Sequence, residues 1–305
     1  MTLRPSHALA ERTVDELAII DEPSFRPIAV YADLKEILRR DNYVFRVLSD
    51  RSAARWDRAL FLNLTYWDVG AGDVLDDQRV AADVVAHAAW HHLAAIALPA
   101  RSQSVEALFL GESIASAFDI YLVGRLLGRA RRSSFLETQV PAMAESAKAA
   151  GLGARAFEAL LRGVAADPEG SFGQLRQLLY DATCALVACR DATEAINALA
   201  RFEAHRFGPL LHHYELSNWV LYARAHARGG IKDVHARAIA GALARHPSPL
   251  TWLTSQWVAP RLAASVGAQH EGEPAGSAPA NRVRRAASFG RDRARPPPGG
   301  KTPPH

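Results

Sequence analysis

From Gln78 to Val266 the chain is a near-unbroken succession of segments with helical hydrophobic period, separated by short breaks rich in Gly and Pro. That pattern constrains the fold more than any other feature, because a chain so punctuated buries its apolar stripes by packing helix on helix. The helical segments run over 78–98, 105 (or 112) to 127, 137–150, 154–166, 172–190, 193–205, 216–228, 232–245 and 250–266. Gly151, Gly153, Pro168, Gly170, Gly208, Pro209, Gly229, Gly230, Pro247 and Pro249 occupy the breaks.

The N-terminal part reads differently. Residues 1–30 are irregular, with Pro5, Pro23 and Pro27 as breakers, and 32–40 and 43–60 carry short helical patterns. Phe61–Trp67 (FLNLTYW) alternates Leu62, Leu64 and Tyr66 with Asn63, Thr65 and Trp67, which predicts a strand ended by Gly70 and Gly72. The expected class is therefore mainly α with a small N-terminal β element (α+β). Residues 1–130 carry the strand and a paired-histidine helix, 131–266 form a second helical subdomain, and 267–305 are a basic tail. The tail is dominated by Gly, Pro, Ser, Ala and Arg, too apolar-poor to offset its ordering entropy, and is expected to be disordered.

Charge narrows the partners. The net charge of +4 is carried by the tail, where Arg282, Arg284, Arg285, Arg291, Arg293, Arg295 and Lys301 face only Glu271, Glu273 and Asp292. The body is near neutral, which argues against nucleic acid. No run of about 18 uncharged apolar residues predicts a membrane span, and Met1–Ile20 has no signal-peptide core. Cys184 and Cys189 form no C-x-x-C pair, so a reduced, cytoplasmic setting is expected. No nucleophile elbow, phosphate loop or dinucleotide fingerprint is present.

Chemistry concentrates in Asp83-Val-Val-Ala-His87-Ala-Ala-Trp-His91-His92. His87 and His91 are four apart, so a helix stacks both imidazoles on one face, the spacing with which two histidines grip one tetrahedral ion. The next helix places Glu112, Ser116 and Asp119 on one face. Packed antiparallel, it offers Glu112 as a third ligand, with Asp83, Ser116 or Asp119 left to orient an imidazole N–H. His92 falls on a neighbouring face.

This arrangement resembles the gluzincin class of zinc metallopeptidases, in which an H-E-x-x-H helix gives two ligands and a later glutamate helix the third. The resemblance covers roughly residues 60–125. It implies a peptidase-like helical core, zinc on His87, His91 and Glu112, and an edge strand at Phe61–Trp67 whose Leu62, Asn63, Leu64, Thr65 and Tyr66 pair with an extended peptide or small protein. One departure matters most. The family's general-base glutamate is replaced by Ala88, and the acidic residue four beyond the third ligand by Ser116. Without that proton acceptor, hydrolysis should fall by orders of magnitude. In size and character the chain is also similar to the peptide-binding proteins of crocagin biosynthesis, a ribosomal-peptide pathway.

The expected function is thus peptide binding on a metallopeptidase-like scaffold, leaning away from catalysis, with presentation of a precursor peptide to modifying enzymes as one role. Three alternatives stand beside it. An active zinc hydrolase would take its base from Asp83, Glu106 or the Glu203–His205 and His212–Glu215 cluster. A helical non-haem iron oxygenase would use Asp83, His87, His91 and Glu112. A purely structural interaction protein would need none of them.

Overall fold

Ser and Asp residues placed just ahead of apolar-periodic runs cap six of the twelve α-helices among the described residues. The computed structural model describes residues 10–47, 74–75, 77–98, 104–129, 132–227 and 229–267. The predicted strand at Phe61–Trp67, with its peptide-pairing residues, and the tail beyond Gly267 lie outside the described residues.

The elements in chain order are β1 (Ala10–Thr13), β2 (Ala18–Ile20), α1 (Glu22–Phe25), α2 (Ala29–Arg40), β3 (Val44–Val47), β4 (Val74–Leu75), β5 (Arg79–Ala81), α3 (Ala82–Ala97), α4 (Val105–Leu126), α5 (Ser134–Ala149), α6 (Ala154–Ala166), α7 (Pro168–Val187), α8 (Ala192–Ala200), α9 (Leu216–His226), α10 (Val234–Arg245), α11 (Pro249–Leu253) and α12 (Ala259–Gly267). A 3-10 segment at Gly208–Tyr214 precedes α9, and a π turn at Thr254–Val258 joins α11 to α12. The fold is mainly α with a small N-terminal β element.

Several boundaries correct the sequence reading. Residues 10–20, expected to be irregular, supply β1 and β2. Residues 44–47, expected to be helical, form β3, antiparallel to β1 with Glu11 opposite Arg46. The helix expected from Gln78 starts at Ala82, because Arg79–Ala81 pairs in parallel with Ala18–Ile20. Runs as short as RVA or AII have no decisive period of their own; cross-strand pairing decides them. Pro168 and Pro249, read as breaks, are first residues of helices, where a missing N–H costs nothing. Asp167 and Ser248 cap these two helices through the amides of Gly170 and Thr251. The segment expected to stay helical to His205 leaves the helix after Ala200.

The centre of the molecule is α4. It is apolar all round, the mark of a helix packed on every side, and it touches α3, α5, α6, α7, α9 and α10. Among the described residues it is the one helix long and apolar enough to cross a membrane, and 83% of its most apolar window is buried by the rest of the fold. One hydrophobic cluster, from Val14 to Val258, includes residues on both sides of position 130.

Two polar ties lock helices around this core. The Glu106 carboxylate, 7% exposed, accepts from Arg237 Nε at 2.7 Å and from the Asp233 amide at 2.7 Å, joining the N-terminus of α4 to that of α10. Asp41 Oδ2, just past α2, faces His92 Nε2 and accepts from Arg261 Nε, each at 2.7 Å, joining α2, α3 and α12.

Two stability predictions follow from this packing. Burial alone would raise the Asp41 pKa, but the hydrogen bonds from Arg261 and His92 hold it below the ordinary carboxylate value. Its contribution is therefore complete above that range and is lost as pH falls through it. Asp41→Ala should cost about 1.5–3 kcal/mol at neutral pH, with the deficit shrinking in acid, read from denaturant midpoints at several pH values. At Gly124 an added Cβ would lie 2.6 Å from the Val164 carbonyl oxygen and 3.0 Å from Pro168. Gly124→Ala should lower stability by about 1–3 kcal/mol; an unchanged midpoint would show that α4 has room to move from the α6–α7 corner.

Candidate metal centre

The strand pairing of β5 delivers the chain directly into α3, and the short connection 98–104 returns it into α4. Ser104 caps α4 by accepting from the Ala107 amide at 3.1 Å. The inward face of α3 is Ala82, Val85, Ala86, Ala88, Ala89, Leu93 and Ala94, with Trp90 as its one large ring. Small side chains let the two helices approach closely. A Cβ built on Gly111 would sit 3.5 Å from Ala94 Cβ, an ordinary contact.

At this seam three of the predicted residues converge. His87 Nε2 and His91 Nε2 are 3.1 Å apart, and His91 Nε2 is 3.5 Å from Glu112 Oε1. The three donor atoms all lie within 4.8 Å of one another, and they are the one such group of His, Cys, Asp or Glu among the described residues. Tetrahedral bonds of about 2.0–2.2 Å set neighbouring ligand atoms about 3.3–3.5 Å apart. The observed separations bracket that value, so two imidazoles and one carboxylate can hold a metal ion here.

Their protonation states fit as well. Burial pushes His87 down to about 4, reinforced by His91 and opposed by Glu112. Burial would raise Glu112, but the charge and hydrogen bond of His91, with a smaller effect from His87, hold it below its usual value. At neutral pH the site therefore offers a neutral imidazole at His87 and an ionised carboxylate, the forms a metal requires.

The remaining sequence candidates divide. Asp83, expected to orient an imidazole, sits in the first turn of α3, where burial raises its pKa against a smaller lowering by the backbone amides. Ser116 is buried on α4 one turn beyond Glu112. Asp119 is held well above the ordinary carboxylate value by burial and by the charge of Asp83. His92 turns to Asp41, on the neighbouring face expected of it. Glu106, an alternative base, is committed to Arg237 at the N-terminus of α4. Of the later cluster, His205 Nδ1 accepts from the Phe207 amide and Glu215 holds Asn218. Burial and the charge of Asp119 raise the Tyr214 hydroxyl pKa well above the usual value. Sequence reasoning did not single out Tyr31, whose buried hydroxyl has its pKa raised by burial and by Glu22 and Asp83 against Arg26.

A cavity of about 670 Å³ lies elsewhere, lined by residues such as Leu199, Leu211, His212, Leu216, Val220 and Arg224. It contains none of the converging donors. Arg224 beside it is held by the carbonyls of Val187 and Cys189, so the chemistry is assigned to the triad rather than to the larger space.

Comparison with protein-family models, with curated proteins and with solved structures finds no match.

A ligand that binds only the folded state at a hundred times its Kd stabilises it by about 2.7 kcal/mol. Adding zinc or cobalt to metal-free protein should therefore raise Tm by roughly 5–10 °C, reversibly with chelator, and His91→Ala should abolish the shift. A Tm indifferent to both metals in the native chain would count against the site.

Proposed function

We propose that the protein holds one zinc ion on His87, His91 and Glu112 and uses this gluzincin-like seam to bind an extended peptide without cleaving it. The observation that carries the reading is the convergence of two imidazoles and one carboxylate, from antiparallel helices, within 4.8 Å. The His₂Glu donor set suits zinc, which when bound acts as a Lewis acid toward a ligand oxygen.

The chain's own residues say why cleavage should be weak. Position 88, where a metallopeptidase keeps its general base, carries a methyl group that is fully buried. The other carboxyls near the seam are poor substitutes. Burial and the charge of Asp83 raise the Asp119 pKa well above the ordinary carboxylate value, and burial raises that of Asp83 too; both residues lie a turn or more from the triad along their helices. Binding therefore outlasts hydrolysis in this arrangement, as expected of a protein that presents a peptide to other enzymes.

The test is elemental analysis of protein purified without a histidine tag, followed by calorimetric titration with extended peptides. One zinc per chain is expected. His87→Ala should weaken zinc binding by more than the ~10–100-fold that loss of an outer hydrogen-bond partner costs, and Glu112→Gln should do the same. Peptide affinity should fall with the metal, and no chelator-sensitive cleavage should appear. Metal-free protein that stays metal-free after zinc addition would overturn the zinc assignment. Rapid chelator-sensitive proteolysis would overturn the non-catalytic one.

A further inference from the structure

Arg176 lies in the middle of α7, the helix that packs against α4, α6, α8, α9, α10 and α11. It is 0% exposed. Elsewhere the fold pairs its buried charges: the Glu106 carboxylate meets Arg237, and Asp41 meets Arg261. Arg176 bonds no carboxylate among the described residues. Its Nη2 donates to Gln177 Oε1, and Gln177 Nε2 donates in turn to Asp181 at 2.8 Å. The Nε and Nη1 atoms are buried without a hydrogen-bond partner.

The group is nevertheless a cation. Burial pushes its pKa down to about 10, against Asp181 and Tyr180, so at neutral pH the guanidinium keeps its proton. Its neighbours along α7 offer no counter-charge: Phe172, Leu175, Leu178 and Leu179 are all buried and apolar. Asp181 is exposed and reaches Arg176 only through the Gln177 amide. A charge removed from water is costly unless an opposite charge accompanies it. Water can accept from the unpaired N–H groups but does not neutralise them. Buried polar atoms without partners call for an occupant, and here the occupant has to be negative.

We propose that Arg176 anchors an internal anion site, in which the N–H groups left unpaired by the protein hold one small monovalent anion, a halide or a short carboxylate. Charge-assisted hydrogen bonds from a guanidinium suit either. Packing limits the size. Gly173, three residues before Arg176, comes so close to α11 that an added Cβ would sit 2.9 Å from Pro249 Cγ. The large cavity beside Leu199 and Arg224 does not include Arg176 in its lining. Gln177, partly exposed, marks the side nearest to solvent. The site stands apart from the metal triad and does not depend on it. It makes the core of the helical body sensitive to the identity of the salt rather than to ionic strength alone.

The test uses the full chain, free of metal, dialysed into sodium gluconate, whose anion is too large for the site. Chloride or formate then replaces gluconate at fixed ionic strength, and Tm is followed. At a hundred times its Kd the smaller anion should raise Tm by roughly 5–10 °C, and the rise should saturate. A larger rise with chloride identifies a halide site, and a larger rise with formate a carboxylate site. Arg176→Met, which removes the charge and keeps an apolar side chain of similar reach, should abolish the rise; if that variant does not fold, Arg176→Gln takes its place with the same expectation. His91→Ala should keep the rise, which separates this site from anions bound at the triad. A Tm equal in all three salts overturns the proposal in favour of water alone. A rise that survives the loss of the Arg176 charge, or that disappears in His91→Ala, overturns it as well.

Discussion

The antiparallel contact of α3 with α4 is the interaction on which the rest depends. An alanine-lined face on one helix and Gly111 on the other bring the backbones close, and that proximity makes a histidine pair and a glutamate neighbours. The same contact sets the register that places Asp83 by Asp119. Bulkier residues along the seam would separate the donors without altering either helix. The packing of small apolar side chains is therefore what gives the polar residues their chemistry.

The energetic tension in the seam is desolvation. A buried imidazole resists protonation and a buried carboxylate resists ionisation, yet His87 and Glu112 end in the two forms that attract a cation. Their mutual proximity resolves that tension on one side of the seam. On the other, the charge of Asp83 adds to burial in raising Asp119. Neighbours rather than residue type thus set the carboxyls of α4 apart, with Glu112 lowered and Asp119 raised.

The mainly α class and the convergence of His87, His91 and Glu112 were legible in the sequence, while the short strands were not. The four-residue interval between His87 and His91 fixes a shared face in any helix, and Glu112 falls on the helix that follows a short connection. Both facts are local, so they survive without knowledge of the tertiary fold. The strands β2, β3 and β5 were misread because three or four residues carry no decisive period, and their partners lie far away in the chain. Arg237 reaches Glu106 across 131 residues, and Arg261 reaches Asp41 across 220. Such pairings are set by the packing of whole helices, which spacing in one sequence does not encode.

The parallel pairing of β2 with β5 has a kinetic consequence. Ala18–Ile20 aligns with Arg79–Ala81, immediately ahead of the helix that bears both histidines. Parallel ribbons close large loops, and such closures are slow steps in chain assembly. The histidine helix can acquire its local structure early, but its anchorage waits for a segment made some sixty residues before it to return.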